Sequence, residues 1–353
     1  MTGGRRDQAP PALPPLALTM GEPAGIGGEL SLRAWLARRQ SGPVFFVLDD
    51  SRRLSALARR FHLDVPVQAI DSPSAAAKVF ANALPVLQLD LDHAVELSKP
   101  SPGTANTVID SIRRAVALTQ NGEASAVVTN PIQKSVLYGA GFGFPGHTEF
   151  LLDLAGGPQS GHSAVMMLAS PDLRVVPVSV HLPLRQAIAE LSAEAIVAAS
   201  MVCHAALRRD FGIANPRLAV AGLNPHAGED GSLGDEELRI VAPAIANLRA
   251  RGIDASGPWV PDTMFHAGAR PRYDAAICLY HDQALIPLKT LDFHGGVNVT
   301  LGLPFVRTSP DHGTALDIAT QGKAEPASLL AAIDLAGKLA ANRAAAPKAK
   351  PGA

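Results

Sequence analysis

Apolar residues recur along this chain in two rhythms. Short continuous runs stand at Leu16–Met20, Val44–Leu48, Val86–Leu89, Ala126–Thr129, Ala164–Leu168, Val175–Val180, Leu218–Ala221, Ala275–Leu279 and Val297–Leu301. Runs of that length, bounded by polar, Gly or Pro positions, are those of strands buried on both faces. The segments Thr104–Gln120, Ala193–Phe211, Glu236–Arg251 and Pro326–Arg343 instead repeat their apolar residues at helical spacing. Alternation of the two predicts an α/β fold with a largely parallel sheet. Ligands of such sheets bind beyond the carboxyl ends of strands. The polar, Gly-rich segments of this chain follow strands: Gly21–Gly27, Asn224–Glu229 and His281–Gln283.

Composition narrows this picture only a little. With 353 residues and 47% hydrophobic positions, the chain has material for two domains or one large α/β unit. A net charge of −1 and 5% aromatic residues argue against nucleic acid and anionic membranes as partners. No apolar run is long enough to span a bilayer. Cys203 and Cys278 both sit in apolar runs, so we expect free thiols and a reducing cytoplasm rather than disulfides. Met1–Pro15 lacks the apolar segment of a secretory signal. It reads as a tail, as does the stretch after Arg343. No internal repeat is visible.

Candidate chemistry comes from particular residues. Gly141–Gly146 spells a dinucleotide fingerprint, but it follows a helical pattern and carries Pro145 inside the turn. No acidic partner for a ribose stands about twenty positions on, and the motif is rejected. His181, His226 and His281 each come at or just after the end of a strand. Three imidazoles converging on one crevice suit zinc, cobalt or nickel and leave a position open for substrate. The alternative is three separate loop histidines. Lys289 and Arg307 flank the strand that carries Asn298, a set able to clamp a phosphate or carboxylate, unless the charges are merely surface ones. Gly313 and Thr314 look like a helix start, with Thr314 as its cap. Such a terminus accepts a dinucleotide phosphate, or is only capped. His147 and Thr148 read likewise, with Thr148 capping a helix, Glu149 in its first turn, and the His-Thr pair either structural or facing substrate.

Several blocks together carry a resemblance. They are Gly21–Gly27, Val128–Ile132, Phe144–Phe150, Gly222–Glu229, Gly257-Pro258 to Asp262-Thr263, Tyr280–Gln283, Val297–Phe305 and Arg307–Ala315. In this order, over roughly Leu16 to Lys338, the chain resembles the 4-hydroxythreonine-4-phosphate dehydrogenase family of vitamin B6 biosynthesis. The resemblance implies a fold like that of isocitrate and isopropylmalate dehydrogenases, with two α/β/α domains and a cleft between them. Residues 16–131 with 292–343 would form the cofactor side, and residues 132–291 the metal and dimer side. It implies oxidation of 4-phosphooxy-L-threonine by NAD or NADP, loss of carbon dioxide, and 3-amino-2-oxopropyl phosphate as product. One divalent metal per subunit (zinc, magnesium or cobalt) is implied on His181, His226 and His281. His181 and His226 are expected on one chain of a homodimer and His281 on the other.

By the same resemblance, His147, Thr148, Lys289, Asn298 and Arg307 contact substrate. Asp311, His312, Gly313, Thr314 and Ala315 hold the cofactor, and Lys289 and Asp262 are candidates for proton transfer. Gln133 before Lys134, and Thr320-Gln321 where Gly is common, depart from the pattern. Other small acids remain alternatives within the same fold, namely a four-carbon sugar-acid phosphate or a cyclic diol carboxylate. A phosphate acyltransferase is the alternative of another class.

Overall fold

The computed structural model describes residues 13–346. Twelve strands are found there: β1 (Leu16–Thr19), β2 (Phe45–Asp49), β3 (Val67–Ile70), β4 (Leu84–Gln88), β5 (Val127–Val128), β6 (Val165–Ala169), β7 (Arg174–Pro177), β8 (Arg217–Ala221), β9 (Asp254–Trp259), β10 (Ala275–Cys278), β11 (Val297–Leu301) and β12 (Arg307–Pro310). They form one sheet in the order β3-β4-β2-β1-β5-β12-β11-β6-β7-β10-β8-β9. Pairing is parallel from β3 to β12 and again from β7 to β9. The three central junctions, β12 with β11, β11 with β6 and β6 with β7, are antiparallel.

All nine expected strands are present, with ends moved by a few residues at most. The three unexpected ones lack a continuous apolar run for identifiable reasons. β3 and β9 are edge strands, and β9 carries Gly257-Pro258. β12 reads Arg-Thr-Ser-Pro yet is buried throughout. The four expected helices appear as Ala105–Gln120, Ala193–Arg209, Ala242–Ala250 entered through a π-helical turn at Glu237–Val241, and Ala327–Ala345. The last continues past Arg343, where a tail was expected. At the other end Pro15, expected in the tail, is buried and accepts from Ser125 N–H at 3.0 Å. The rest of the two tails, residues 1–12 and 347–353, lies outside the described residues. No helix among the described residues is long and apolar enough to cross a membrane. Cys203 and Cys278 are free and buried.

Side chains alternate across a strand, so each strand feeds two cores. On one face the core is continuous. Leu16, Leu18, Val128, Val299, Met167, Val176 and Ile277 pack in a single cluster with the helices at Ala193–Arg209 and Ala327–Ala345. On the other face the apolar packing is split in two. Ala17, Phe46, Leu48 and Val127 pack against Ala105–Gln120, and Leu168, Val175, Ala219 and Ala276 pack under the helix His281–Leu291. Between them, Thr129 just past β5 joins β12 and β11 in presenting polar side chains to that face, and a cavity lies there.

Candidate active site

The cavity encloses about 410 Å³. Its floor follows from strand register. Thr308 bonds the carbonyl of Ala332 on the continuous-core face, so Arg307 and Ser309 point the other way. Asn298 pairs with Ser309, and Thr300, two residues further along on the same face, lies within reach of Arg307. Arg307 is 3% exposed. Its guanidinium donates to Thr300 Oγ1 at 2.9 Å and to Thr129 Oγ1 at 2.7 Å, with a long 3.5 Å contact to Asn298 Oδ1. Nε has no partner. Among the described residues no carboxylate pairs with it. Burial alone pushes its pKa down to about 10. A cation retained at such cost, with only neutral hydroxyl and amide oxygens as partners, is built to receive an anion.

One wall is the start of the helix His147–Leu154. The expected cap is corrected here. Gly146, in extended conformation, is the N-cap, and no side chain caps this end. Because the helix starts two residues early, Thr148 is free to line the cavity with Gly146, His147 and Glu149. The unsatisfied amides of such an end favour negative charge. Burial, then the charges of Arg307 and Lys134, hold the His147 imidazole well below its ordinary 6.5. Its Nε2 is buried without a partner. Lys134, unassigned by the sequence reading, also lines the cavity. A Cβ on Gly146 would stand 3.4 Å from Lys134 Nζ and 3.5 Å from Glu149 Oε2.

The opposite rim joins two groups expected to act separately. Lys289 Nζ is 2.9 Å from Asp311 Oδ2. Asp311, His312 and Gly313 line the cavity, whereas Lys289, Thr314 and Ala315 stand outside its lining. No helix begins at Thr314. Ala315 takes a φ of 44°, which a helix start does not tolerate, and the Thr314 hydroxyl donates to Gln133 Oε1 instead. This segment is held by the loop after β1. Ile26 N–H donates to Thr314 O at 3.1 Å, Ser98 N–H to Ala24 O at 2.8 Å, and Ser98 Oγ to Leu316 O at 2.5 Å. A Cβ on Gly25 would come 2.7 Å from Thr314 O.

The three histidines lie past the carboxyl ends of β7, β8 and β10, which are neighbours in the sheet. A single chain brings two of them together, and not the pair expected. β10 pairs directly with β7, so the rings of His181 and His281 stand 6.1 Å apart. His226 lies past β8, one strand further, exposed in a loop whose residues 226–230 all have positive φ. Among the described residues no group of three His, Cys, Asp or Glu is close enough to share an ion within one chain.

The two rings that meet suit a metal. Asp282 Oδ1 lies 2.7 Å from His281 Nδ1, and a proton on that nitrogen leaves Nε2 as a donor for a metal. Burial lowers the His181 pKa, with Lys134 and His281 adding to it and Glu149 opposing, so the ring is neutral. Gln283 braces these loops: its amide donates to Gly222 O at 2.7 Å and accepts from Leu279 N–H at 2.6 Å. Asp262 is exposed on the short helix Pro261–Met264 and does not line the cavity. The sequence reading also passed over Thr129 and Thr300. Thr300 had a signal, since it alternates with Asn298 through an otherwise apolar strand.

Comparison with known proteins follows the same lines. The family model described as pyridoxal phosphate biosynthetic protein PdxA matches residues 42–336. The 4-hydroxythreonine-4-phosphate dehydrogenase of Caulobacter vibrioides is 53% identical over 331 residues, covering 93% of this chain and 98% of that protein. A crystal structure of 4-hydroxythreonine-4-phosphate dehydrogenase from Klebsiella pneumoniae superposes with a TM-score of 0.82 at 38% identity, covering 93% of this chain and 98% of that one. A terephthalate 1,2-cis-dihydrodiol dehydrogenase from Burkholderia xenovorans reaches 0.63 at 25% identity, over 93% and 98% of the two chains.

Proposed function

The chain belongs to the pyridoxal phosphate biosynthetic protein PdxA family, and from that premise we propose that it oxidises 4-hydroxythreonine 4-phosphate with a nicotinamide cofactor. The observation that carries this reading is Arg307, a buried guanidinium without a carboxylate partner among the described residues, on the floor of a polar cavity. A phosphorylated hydroxy-amino acid brings the anions that such a floor and the uncapped helix at Gly146 are suited to bind.

The proposed chemistry removes a hydride from the carbon bearing the secondary hydroxyl and the proton from its oxygen, giving a ketone β to the carboxylate. The carbon–carbon bond to that carboxylate then breaks, releasing carbon dioxide; its electron pair passes into the ketone as an enolate, and the former α-carbon takes up a proton to give 3-amino-2-oxopropyl phosphate. NAD or NADP, when bound, takes the hydride. A divalent ion such as zinc, magnesium or cobalt, when held by His181, His226 and His281, supplies Lewis-acid polarisation of the hydroxyl. Arg307, Asn298, Thr148 and His147 orient the anionic ends. His147 does so as a neutral ring, able to donate to or accept from substrate at Nε2. Lys289, held by Asp311, links the substrate end to the Asp311–Ala315 segment, where we place the cofactor. Lys289 and Asp262 remain the candidates for moving the hydroxyl proton.

Residues 132–291 contain all three histidines and residues 292–343 contain the cofactor segment. This supports the division into a metal side and a cofactor side, and the free, buried Cys203 and Cys278 support a reducing cytoplasm as the compartment. The direct test is absorbance of reduced nicotinamide with 4-phosphooxy-threonine. A signal that chelator removes and divalent ion restores is expected. A signal only with a cyclic diol carboxylate would move the chain to another branch of the fold.

We further propose a homodimer that completes each metal site across its interface, because one chain gathers two histidines and not three. Apolar Leu182 and Leu184 are exposed beside that pair, as is Ile286 on the helix that His281 begins. Mixing inactive His→Ala variants under subunit exchange tests this. Two of the three pairings should restore about a quarter of wild-type activity, since half the dimers are mixed and each has one intact site. The pairing that fails names the two histidines on one chain. Failure of all three pairings would place every ligand on a single chain.

A further inference from the structure

The charged groups that line the cavity differ in whether they are already paired. Asp311 is paired with Lys289. Arg307 and Lys134 line the cavity, and neither is within ion-pair distance of a carboxylate among the described residues. Glu149 also lines it, exposed, and no Lys, Arg or His among the described residues pairs with it. The cavity therefore offers two uncommitted cations and one uncommitted carboxylate. Lys134 and Glu149 both stand over Gly146 without forming an ion pair with each other. Arg307 lies across the cavity floor on β12.

That charge pattern is the complement of a particular molecule. A phosphorylated amino acid carries two anionic ends, phosphate and carboxylate, and one cation, the ammonium beside the carboxylate. A phosphorylated hydroxy acid of the same length has both anions and a neutral hydroxyl where the ammonium would be. Arg307 and Lys134 serve either molecule equally. Glu149 does not: its carboxylate gains a charge-assisted hydrogen bond from an ammonium and a weaker one from a hydroxyl.

We infer that Glu149 is the residue by which this cavity selects a substrate with an ammonium next to its carboxylate over the corresponding hydroxy acid. This rests on the function proposed above and adds to it the determinant of substrate class. Glu149 also sits in the first turn of the helix His147–Leu154, where negative charge is favourable. That contribution would appear as stability and is blind to the substrate.

The test uses the full chain, wild type and Glu149→Gln. Gln keeps the size and an acceptor oxygen, and the exposed position keeps the fold, which a melting curve checks. Binding is measured calorimetrically without nicotinamide cofactor, and kcat/KM with it. The probes are 4-phosphooxy-threonine and the four-carbon phosphorylated acid with hydroxyl in place of the amine. For the variant, affinity and kcat/KM for the amino substrate should fall about ten- to a hundredfold, the span of a hydrogen bond to a charged group. Values for the hydroxy acid should stay within about twofold. Glu149→Asp, which keeps the charge, should recover part of the discrimination. An equal loss for both probes would make Glu149 a structural or proton-transfer group, and no loss for either would remove it from recognition; both results overturn the inference. A wild-type chain that neither binds nor oxidises 4-phosphooxy-threonine would overturn the proposed function instead.

Discussion

Replacing Arg307 by Met is expected to lower kcat/KM by about two to three orders of magnitude while making the fold more stable. The two effects have one cause. The guanidinium sits on the sheet at 3% exposure with hydroxyl partners, one unpartnered N–H and no counter-ion among the described residues. Removing one partner of a desolvated charge pair costs about 2–5 kcal/mol of binding, and substrate supplies the other partner here. In the free protein the same charge is only a burden. An apolar side chain of similar length in its place should add about 1–4 kcal/mol to the unfolding free energy. The hydroxyls of Thr129 and Thr300 then turn toward the cavity. Steady-state kinetics with a thermal or denaturant melt reads both. Lost activity with a lowered melting temperature would mean that Arg307 holds the sheet together rather than an anion.

Gly25→Val is expected to raise KM for the nicotinamide cofactor about ten- to a hundredfold and to leave KM for the phosphorylated substrate within about threefold. Gly25 meets the carbonyl of Thr314 so closely that a Cβ would stand 2.7 Å from it. The neighbouring Ile26 N–H bonds that same carbonyl. A larger residue must push the Thr314 backbone away, and the segment proposed to hold the cofactor moves with it. Arg307 and the helix at Gly146 are on other elements and keep their places. Equal increases in both constants, or none in either, would detach the Asp311–Ala315 segment from cofactor binding.

Much of this site was legible in the sequence because its residues break a pattern. Asn298 and Thr300 alternate through an apolar strand, which marks a polar stripe on one face. The three histidines come after apolar runs, at the ends where α/β sheets bind ligands. Other parts were hidden for physical reasons. β12 has no apolar residue to announce it, because one of its faces lines the cavity and Thr308 on the other bonds a helix carbonyl. The cap at Gly146 was missed because a glycine caps through backbone conformation and leaves no side-chain signature. The helix expected at Thr314 is absent because the loop after β1 takes hold of that backbone first. Which histidines meet depended on strand order, β7 beside β10 before β8, and strand order is not encoded in spacing. The roles of Lys134 and Glu149 emerge only from knowing which charges are already paired.

The late arrival of the two middle strands, β11 and β12, has a consequence for how the protein is made. β5 ends at Val128, and its partner on the far side is β12, which begins at Arg307. β6 likewise waits for β11. At roughly 5–20 residues per second, a ribosome needs on the order of ten to forty seconds to bridge that gap. From the completion of β6 until β11 is made, the growing chain presents the unpaired edges of two buried strands, the kind of edge that seeds association between chains. A message truncated before codon 297 gives a product with both edges still open. Vectorial synthesis thus leaves the sealing of the sheet, and the floor of the cavity with it, to the last strands made.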